Sequence, residues 1–274
     1  MSRLFIGIQS CIKYAHRRDA VRQTWLKDCS RAGVPARFFV GRPGRNPEAA
    51  GDMIYLDCND GYTDGPAKTI EFLKSVREIY DFDYLYKCDD DTYVNVPVLL
   101  SLPYDRYDYF GFHYDAMPID RKWHYKHLEP HIRREPYKGK EDGPWMVGGT
   151  GYFINRRAIG YVIDTYSKFI DDEIYEDKLV GDAIRGDKSM RWGRTDLMQQ
   201  HYSFTYELSL RWGKLDSLKF AALHPCPSGE MRWVHRRNNV FLMFTFSIAL
   251  RIRCFIFKSV RALSRGWLGL SNGS

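Results

Sequence analysis

The sequence predicts an α/β domain whose central sheet is mostly parallel and carries helices on its faces. Three observations point there. Strand-type and helix-type hydrophobic periods alternate through the first half of the chain. An acidic run, Asp89-Asp90-Asp91, follows the apolar stretch 82–86 after Lys87 and Cys88, and ligand sites in such sheets lie at the carboxyl ends of strands. With 274 residues, 44% of them hydrophobic and 15% aromatic, the chain can bury one good-sized core.

The elements follow in order. Residues 4–8 read as the first strand, and 17–29 as a helix with Ala20, Val21, Trp25 and Leu26 on one face. Residues 37–40 and 53–56 read as strands. Residues 67–80 form a helix, because Ile70, Leu73, Val76 and Ile79 recur at spacings of three. Residues 82–86 are the buried strand before the acidic run, 96–102 a short helix and 107–112 a further strand. This βαββαβ order implies parallel neighbours joined by crossover helices. From 113 to 144 the periodicity gives way to a polar, aromatic loop, long enough to suggest a functional segment. Regular structure resumes with a strand at 151–154 and a helix at 156–169.

Charge is informative once located. Lys and Arg number 41 against 34 Asp and Glu, for a net charge of +7. Seven basic residues and no acidic one follow from Arg236 onward, so residues 1–235 carry no net charge. A body without a basic surface excess argues against nucleic acid as a partner. The expected division is therefore a globular domain, 1–235, and a basic tail, 236–274. Residues 240–250 are eleven in a row without charge, too few to span a bilayer. On a helix, Arg251, Lys258, Arg261 and Arg265 fall within about 80° of one another, with Arg253 outside the stripe. Residues 240–265 are thus expected to lie on an anionic membrane surface; a terminal helix docked on the body is the alternative. No signal peptide or anchor pattern precedes the first strand, so a chain complete at its first residue would be expected at the cytosolic face of a membrane. Six cysteines (Cys11, Cys29, Cys58, Cys88, Cys226 and Cys254) show no C-x-x-C pair, against a zinc ribbon or a dense disulfide framework. A reducing compartment fits, with one or two bridges left open.

The acidic run carries the chemistry. Three adjacent carboxylates repel one another unless a cation sits between them. A divalent metal with oxygen ligands is the simplest such cation, and a diphosphate can supply the remaining oxygens. A solvated acidic turn is the alternative. Taken alone, the run suits a phosphohydrolase, a nucleotidyltransferase or a sugar-nucleotide transferase. Arginines at the start of the helix after the first strand, in His16-Arg17-Arg18-Asp19-Ala20-Val21-Arg22, oppose the helix dipole and so suit either an anion or a solvated face.

Six segments then resemble one family in its order along the chain. These are Arg18-x-Ala20-Val21-Arg22-x-Thr24-Trp25, Ala67-Lys68-Thr69 and Lys87-x-Asp89-Asp90-Asp91-x-Tyr93-Val94-Asn95, followed by Lys122-Trp123, Gly148-Gly149-Thr150-Gly151-Tyr152 and Glu176-Asp177-x-x-x-Gly181. Together they resemble the β1,3-galactosyltransferase, β1,3-N-acetylglucosaminyltransferase and Fringe superfamily, over residues 3 to about 235. The resemblance implies a GT-A fold, Rossmann-like, followed here by a helical tail. It implies an inverting transfer from a UDP-sugar with Mn²⁺ or Mg²⁺ as cofactor. The donor would be held by Arg18, Arg22, Lys68, Asp89, Asp90, Gly148 and Gly149, and the metal by Asp89, Asp91 and a late histidine, His224. His201 and His235 are the alternatives for that ligand. Asp177 would be the base, and Lys178, where the family usually has Val, is expected to lower its pKa. The acceptor would be a glycan, glycoprotein or glycolipid, and a eukaryotic member would lie at the Golgi membrane.

Two alternatives remain at this point: a non-catalytic glycan- or lipid-binding protein, and a metal-dependent phosphohydrolase. His124, His127 and His131 have helical spacing that could suggest zinc, but Pro130 breaks the helix. Their loop is better suited to the acceptor, where Trp123, Tyr125, Tyr137 and Trp145 could stack on sugar faces.

Overall fold

The structure, a computed structural model, describes residues 3–44, 48–113, 143–171, 173–200 and 220–238. The chain divides into two compact units, Met1–Met231 and Arg232–Ser274. In the second, the described residues 232–238 are helical. Of the expected basic tail, 236–274, residues 239–274 lie outside the described residues. Among those described, no helix is long and apolar enough to cross a membrane.

The first unit is built on an eight-stranded sheet. Its strands are β1 (Leu4–Gln9), β2 (Ala36–Gly41), β3 (Glu48–Ala50), β4 (Met53–Leu56), β5 (Tyr84–Asp89), β7 (Tyr109–Gly111), β8 (Tyr152–Asn155) and β9 (Trp192–Arg194), in the order β3-β4-β2-β1-β5-β8-β7-β9. The four central strands β4, β2, β1 and β5 are mutually parallel. β3 and β8 run antiparallel to their neighbours. A small second sheet joins β6 (Tyr93–Val94), β10 (Met198–Gln200) and β11 (Ala222–His224) in the order β10-β11-β6. This is the mostly parallel, helix-flanked architecture expected of a GT-A fold.

The helices bear out the hydrophobic spacing and correct its details. The single helix expected over 17–29 is two, α1 (Ala15–Gln23) and α2 (Trp25–Arg31). The break falls at Thr24, whose hydroxyl donates to the Ala20 carbonyl at 2.7 Å. That side-chain bond takes an acceptor from the helix ladder, a common cause of bending. α3 (Gly65–Ile79) begins with Pro66 in its first turn, where a missing N–H costs nothing. Ile70, Leu73 and Val76 are buried on it, but Ile79, the last of the series, is exposed. α4 (Val96–Ser101), α5 (Arg156–Thr165) and α6 (Glu176–Arg185) complete the described set. The core packs α3, α5 and α6 onto the sheet through residues such as Phe5, Phe39, Phe72, Leu85, Ile159 and Leu179. Phe39 and Phe72 stack at 3.9 Å between centroids. The five described cysteines are free.

The edge of the sheet is held by one buried carboxylate. Asp108 accepts from the Asn155 amide at 2.7 Å and from the Arg191 backbone N–H at 2.8 Å. Asn155 in turn caps α5 by accepting from Ala158 N–H at 2.9 Å. Burial works against the ionised carboxyl, but the Arg191 N–H, the Asn155 amide and the nearby Arg157 and Arg191 charges outweigh it and hold Asp108 below its ordinary pKa. A depressed folded pKa contributes stability above the unfolded value and loses it as pH falls through the folded one. Asp108→Asn is therefore expected to cost about 1–3 kcal/mol at pH 7, with the difference closing below about pH 4. Urea unfolding of both proteins across pH 3–7 measures this.

Candidate active site

β5 delivers the acidic run to the carboxyl edge of the parallel strands. Asp89 is its last residue, paired in register with Gln9 at the end of β1. Three segments close on this edge. β11 pairs antiparallel with β6, Leu223 opposite Tyr93, which sets His224 beside the run. The next turn is tied down as well, Cys226 N–H donating to the Asp91 carbonyl at 2.6 Å. From α2, the buried Trp25 donates its indole N–H to the Thr92 carbonyl at 3.0 Å. From the glycine loop, the Gly149 carbonyl accepts the Thr92 hydroxyl.

Asp89, Asp91 and His224 each present one ligand atom, all within 4.8 Å of one another. Two carboxylate oxygens and an imidazole nitrogen form a mixed oxygen–nitrogen donor set that fits a divalent metal ion. His224 Nδ1 lies 3.2 Å from Asp91 Oδ1. Burial raises the Asp91 carboxyl, but the bond to His224, its charge and that of Arg17 outweigh this and hold it low. Burial likewise disfavours imidazolium, and Asp91 reverses the sign, raising His224.

Asp90 points elsewhere. It is almost fully buried and accepts from Ser10 Oγ at 2.7 Å and Arg17 Nη1 at 3.2 Å. Burial drives its pKa up to about 7, against the bonds from Ser10 and Arg17. Its bonds within the fold leave it a brace for the β1 end rather than an open donor contact.

The predicted donor-binding cations divide in the same way. Arg18 is buried, and its guanidinium donates to Ser10 Oγ at 2.8 Å, to the Cys11 carbonyl and to the Ile12 carbonyl at 3.0 Å. Lys68 donates to the Ser10 carbonyl at 2.9 Å and pairs with Asp60 at 2.9 Å. Both shape the loop after β1. Arg22 is not brought to the site. It is paired with Asp52 at 2.7 Å and Asp19 at 2.9 Å, and Asp52 precedes β4, at the opposite end of the sheet. One helical turn from Arg18 was enough to turn it away.

On the other side of the run stands a buried charge pair. Lys87 is fully buried on β5; its ammonium bonds Glu176 Oε1 and lies 3.5 Å from Asp89 Oδ1. Burial opposes that charge, but Glu176 and Asp89 outweigh it and raise the Lys87 pKa. Glu176 is raised to about 7 by burial, with the Asp177 and Asp89 carboxylates adding to it against Lys87. Thr69 and Tyr152 hydroxyls lie 3.3 and 3.4 Å from Glu176 Oε2.

Asp177, the second residue of α6, stands beside this pair. Its Oδ2 accepts the Gly148 N–H at 2.8 Å and its Oδ1 its neighbour Lys178's N–H at 2.9 Å. Burial raises its pKa, and those two bonds and the Lys87 charge only partly offset it. The expected lowering by Lys178 is thus corrected. Lys178's ammonium turns into the fold, to Asp182 and to Glu173 at 3.2 Å. Gly148 and Gly149 are required by close approach. A Cβ on Gly148 would meet Glu176 and Asp177, and one on Gly149 would meet the His224 ring. Trp145, expected to face a sugar, is instead buried against Gly181 and beneath Lys178.

His201, the histidines at 124, 127 and 131, and Lys122, Trp123, Tyr125 and Tyr137 lie outside the described residues. His235 belongs to the second unit. In the sequence, Lys87 had no role beyond its place in a motif, Thr92 none at all, and Arg17 suited either an anion or a solvated face. For Lys87 a signal existed: a lysine inside a strand buried on both faces must have a partner.

An α/β sheet with a carboxylate–histidine cluster at its carboxyl edge, beside a second, half-buried pair of acids, fits an enzyme of the transferase or hydrolase kind. The family resolves the choice. The Galactosyltransferase family model matches residues 16–188, and the chain belongs to that family; it carries a glycosyltransferase domain. Among curated relatives, hydroxyproline O-galactosyltransferase GALT5 of Arabidopsis thaliana is 28% identical over 182 residues, 60% of this chain and 26% of its own length. Beta-1,3-galactosyltransferase 6 of Mus musculus is 32% identical over 111 residues, 35% of this chain and 34% of its own. The chain thus spans about a quarter to a third of these relatives. A solved glycosyltransferase involved in glycosylation of the major capsid of PBCV-1 is similar at a TM-score of 0.48 and 14% identity, covering 85% of this chain and 98% of that one.

Removing the buried cation tests how the site is held. Lys87→Met leaves Glu176 buried without its partner and is expected to cost roughly 3–5 kcal/mol at pH 8. The cost is smaller at pH 6, where the stranded carboxyl takes up a proton more readily. Adding Glu176→Gln recovers part of the loss, as urea unfolding of the double-mutant cycle will register.

Proposed function

We propose that this domain transfers a hexose, galactose or N-acetylglucosamine, from a UDP-sugar to a glycan or glycoconjugate hydroxyl, inverting the anomeric carbon to give a β-1,3 linkage. The observation that carries this reading is the Gly148–Gly149 pair. Gly148 N–H holds Asp177, and Gly149 abuts His224. Adjacent residues lie about 3.8 Å apart along the backbone, so one peptide links the candidate base to the candidate metal site. Galactose as the donated sugar is supported by the family and by the names of its relatives.

Asp89, Asp91 and His224 would hold the divalent ion, which when bound supplies Lewis acidity to the departing diphosphate. Asp177 takes the proton from the acceptor hydroxyl. Its two carboxylate oxygens each spend one lone pair on a backbone N–H and keep another for the acceptor. The acceptor oxygen forms its bond to the anomeric carbon as the bond to the phosphate oxygen breaks, and the electron pair leaves on UDP. Lys87, paired with Glu176, keeps Asp177's surroundings from accumulating negative charge.

UDP release from UDP-galactose and UDP-N-acetylglucosamine, with candidate acceptors, tests this reading. Turnover is expected with Mn²⁺ and is lost in EDTA. Asp177→Asn is expected to lower it by about 10²–10⁴-fold while UDP binding persists. Turnover unchanged by Asp177→Asn would sink the mechanism. Hydrolysis of many phosphate esters without an acceptor would favour a phosphohydrolase, and tight glycan binding without turnover a binding module.

A further inference from the structure

Arg17 is the arginine of the first motif region that the fold leaves on the acidic run. It sits in the first turn of α1, with Nη1 3.0 Å from Asp91 Oδ2 and 3.2 Å from Asp90 Oδ1. Its guanidinium carbon lies 4.2 Å from the centroid of the Tyr14 ring, a stacking that fixes the plane of the group. The side chain remains 30% exposed, so it approaches the cluster from its open side. Its hydrogen bonds among the described residues use Nη1 alone. The neighbouring cations differ. Arg18 and Lys68 give their donors to the loop after β1, and Arg22 is held by Asp52 and Asp19.

We propose that Arg17 is the resident counter-ion of the metal site, which yields Asp91 to the incoming divalent ion and passes to the diphosphate of the donor, so that metal and nucleotide binding are coupled through it. This rests on reading Asp89, Asp91 and His224 as the metal site. A divalent ion held through Asp91 Oδ1, the oxygen beside His224, stands close to the guanidinium 3.0 Å from Oδ2 of the same carboxylate, and each cation weakens the other's hold, because like charges at a few ångströms in a partly dry site repel more than in water. The displaced guanidinium then finds its best partner in an anion arriving at the same place. Its planar fork matches phosphate oxygens in a way an ammonium does not. The metal thus releases the group that receives the nucleotide, and the nucleotide removes the cation that opposes the metal. Linkage requires the effect to be mutual.

The test is calorimetric titration of Mn²⁺ and of UDP into the full chain, each with and without the other, corrected for Mn²⁺ binding to UDP in solution. In Arg17→Met, Mn²⁺ alone is expected to bind roughly five- to ten-fold tighter than in the unsubstituted chain, and UDP at saturating Mn²⁺ to bind weaker by a similar factor. Arg17→Lys, which keeps the charge and loses the fork, falls between them. Unchanged affinities in Arg17→Met overturn the coupling while leaving the site in place. Weaker binding of both Mn²⁺ alone and UDP would make Arg17 merely structural and also overturns it. If the unsubstituted chain binds neither Mn²⁺ nor UDP, the reading of the site fails first and the coupling with it.

Discussion

One fully buried ammonium stands between the two acidic halves of the site. Lys87 on β5 touches Glu176 on α6 and approaches Asp89 at the strand's end. It sets a cation where Asp89, Glu176 and Asp177 crowd the same edge of the sheet. A buried ion pair of this kind is not a source of stability in itself, since desolvation cancels much of the attraction. Its value is positional. It joins the first residue of α6 to the last residues of β5, so the acid beside the glycine loop and the acids at the strand end cannot drift apart.

The glycine loop converts that constraint into geometry. Gly148 and Gly149 let the backbone run between Asp177 and His224 at distances no side chain would allow. The Gly148 N–H and Gly149 carbonyl are then both spent, one on Asp177 and one on Thr92. Thr92 is held in turn by the Trp25 indole. The motif segments that lie far apart in the chain therefore meet as a single hydrogen-bonded shell around two carboxylates and an imidazole.

Chemically alike residues meet different fates here. Arg17, Arg18 and Arg22 lie within two helical turns, yet one rests on the acidic run, one is turned into the loop after β1 and one pairs with Asp52 at the far end of the sheet. Of the three acids in the run, Asp89 and Asp91 join His224 while Asp90 turns inward to Ser10. Residue type and spacing could not separate these. The rotation of α1 and the direction of the turn after β5 did so, and both depend on packing against strands distant in sequence.

The amino-acid sequence by itself determined the alternation of strands and helices, the placing of the acidic run at a strand's carboxyl end, and the family. These follow from local periodicity and from short motifs, which need no knowledge of distant contacts. It also pointed to His224 and Asp177 through the resemblance. Only the tertiary structure decided that Thr24 divides the first helix, that Lys178 faces away from Asp177, and that Trp145 is buried rather than open to a sugar. It decided too that β11 pairs with β6 and so carries His224 to Asp91 across 132 intervening positions. The physical reason is common to all of these. A side chain's charge and partners are set by what the folded chain brings within a few ångströms of it, and burial strengthens those short-range terms until they override the tendencies that spacing alone can express.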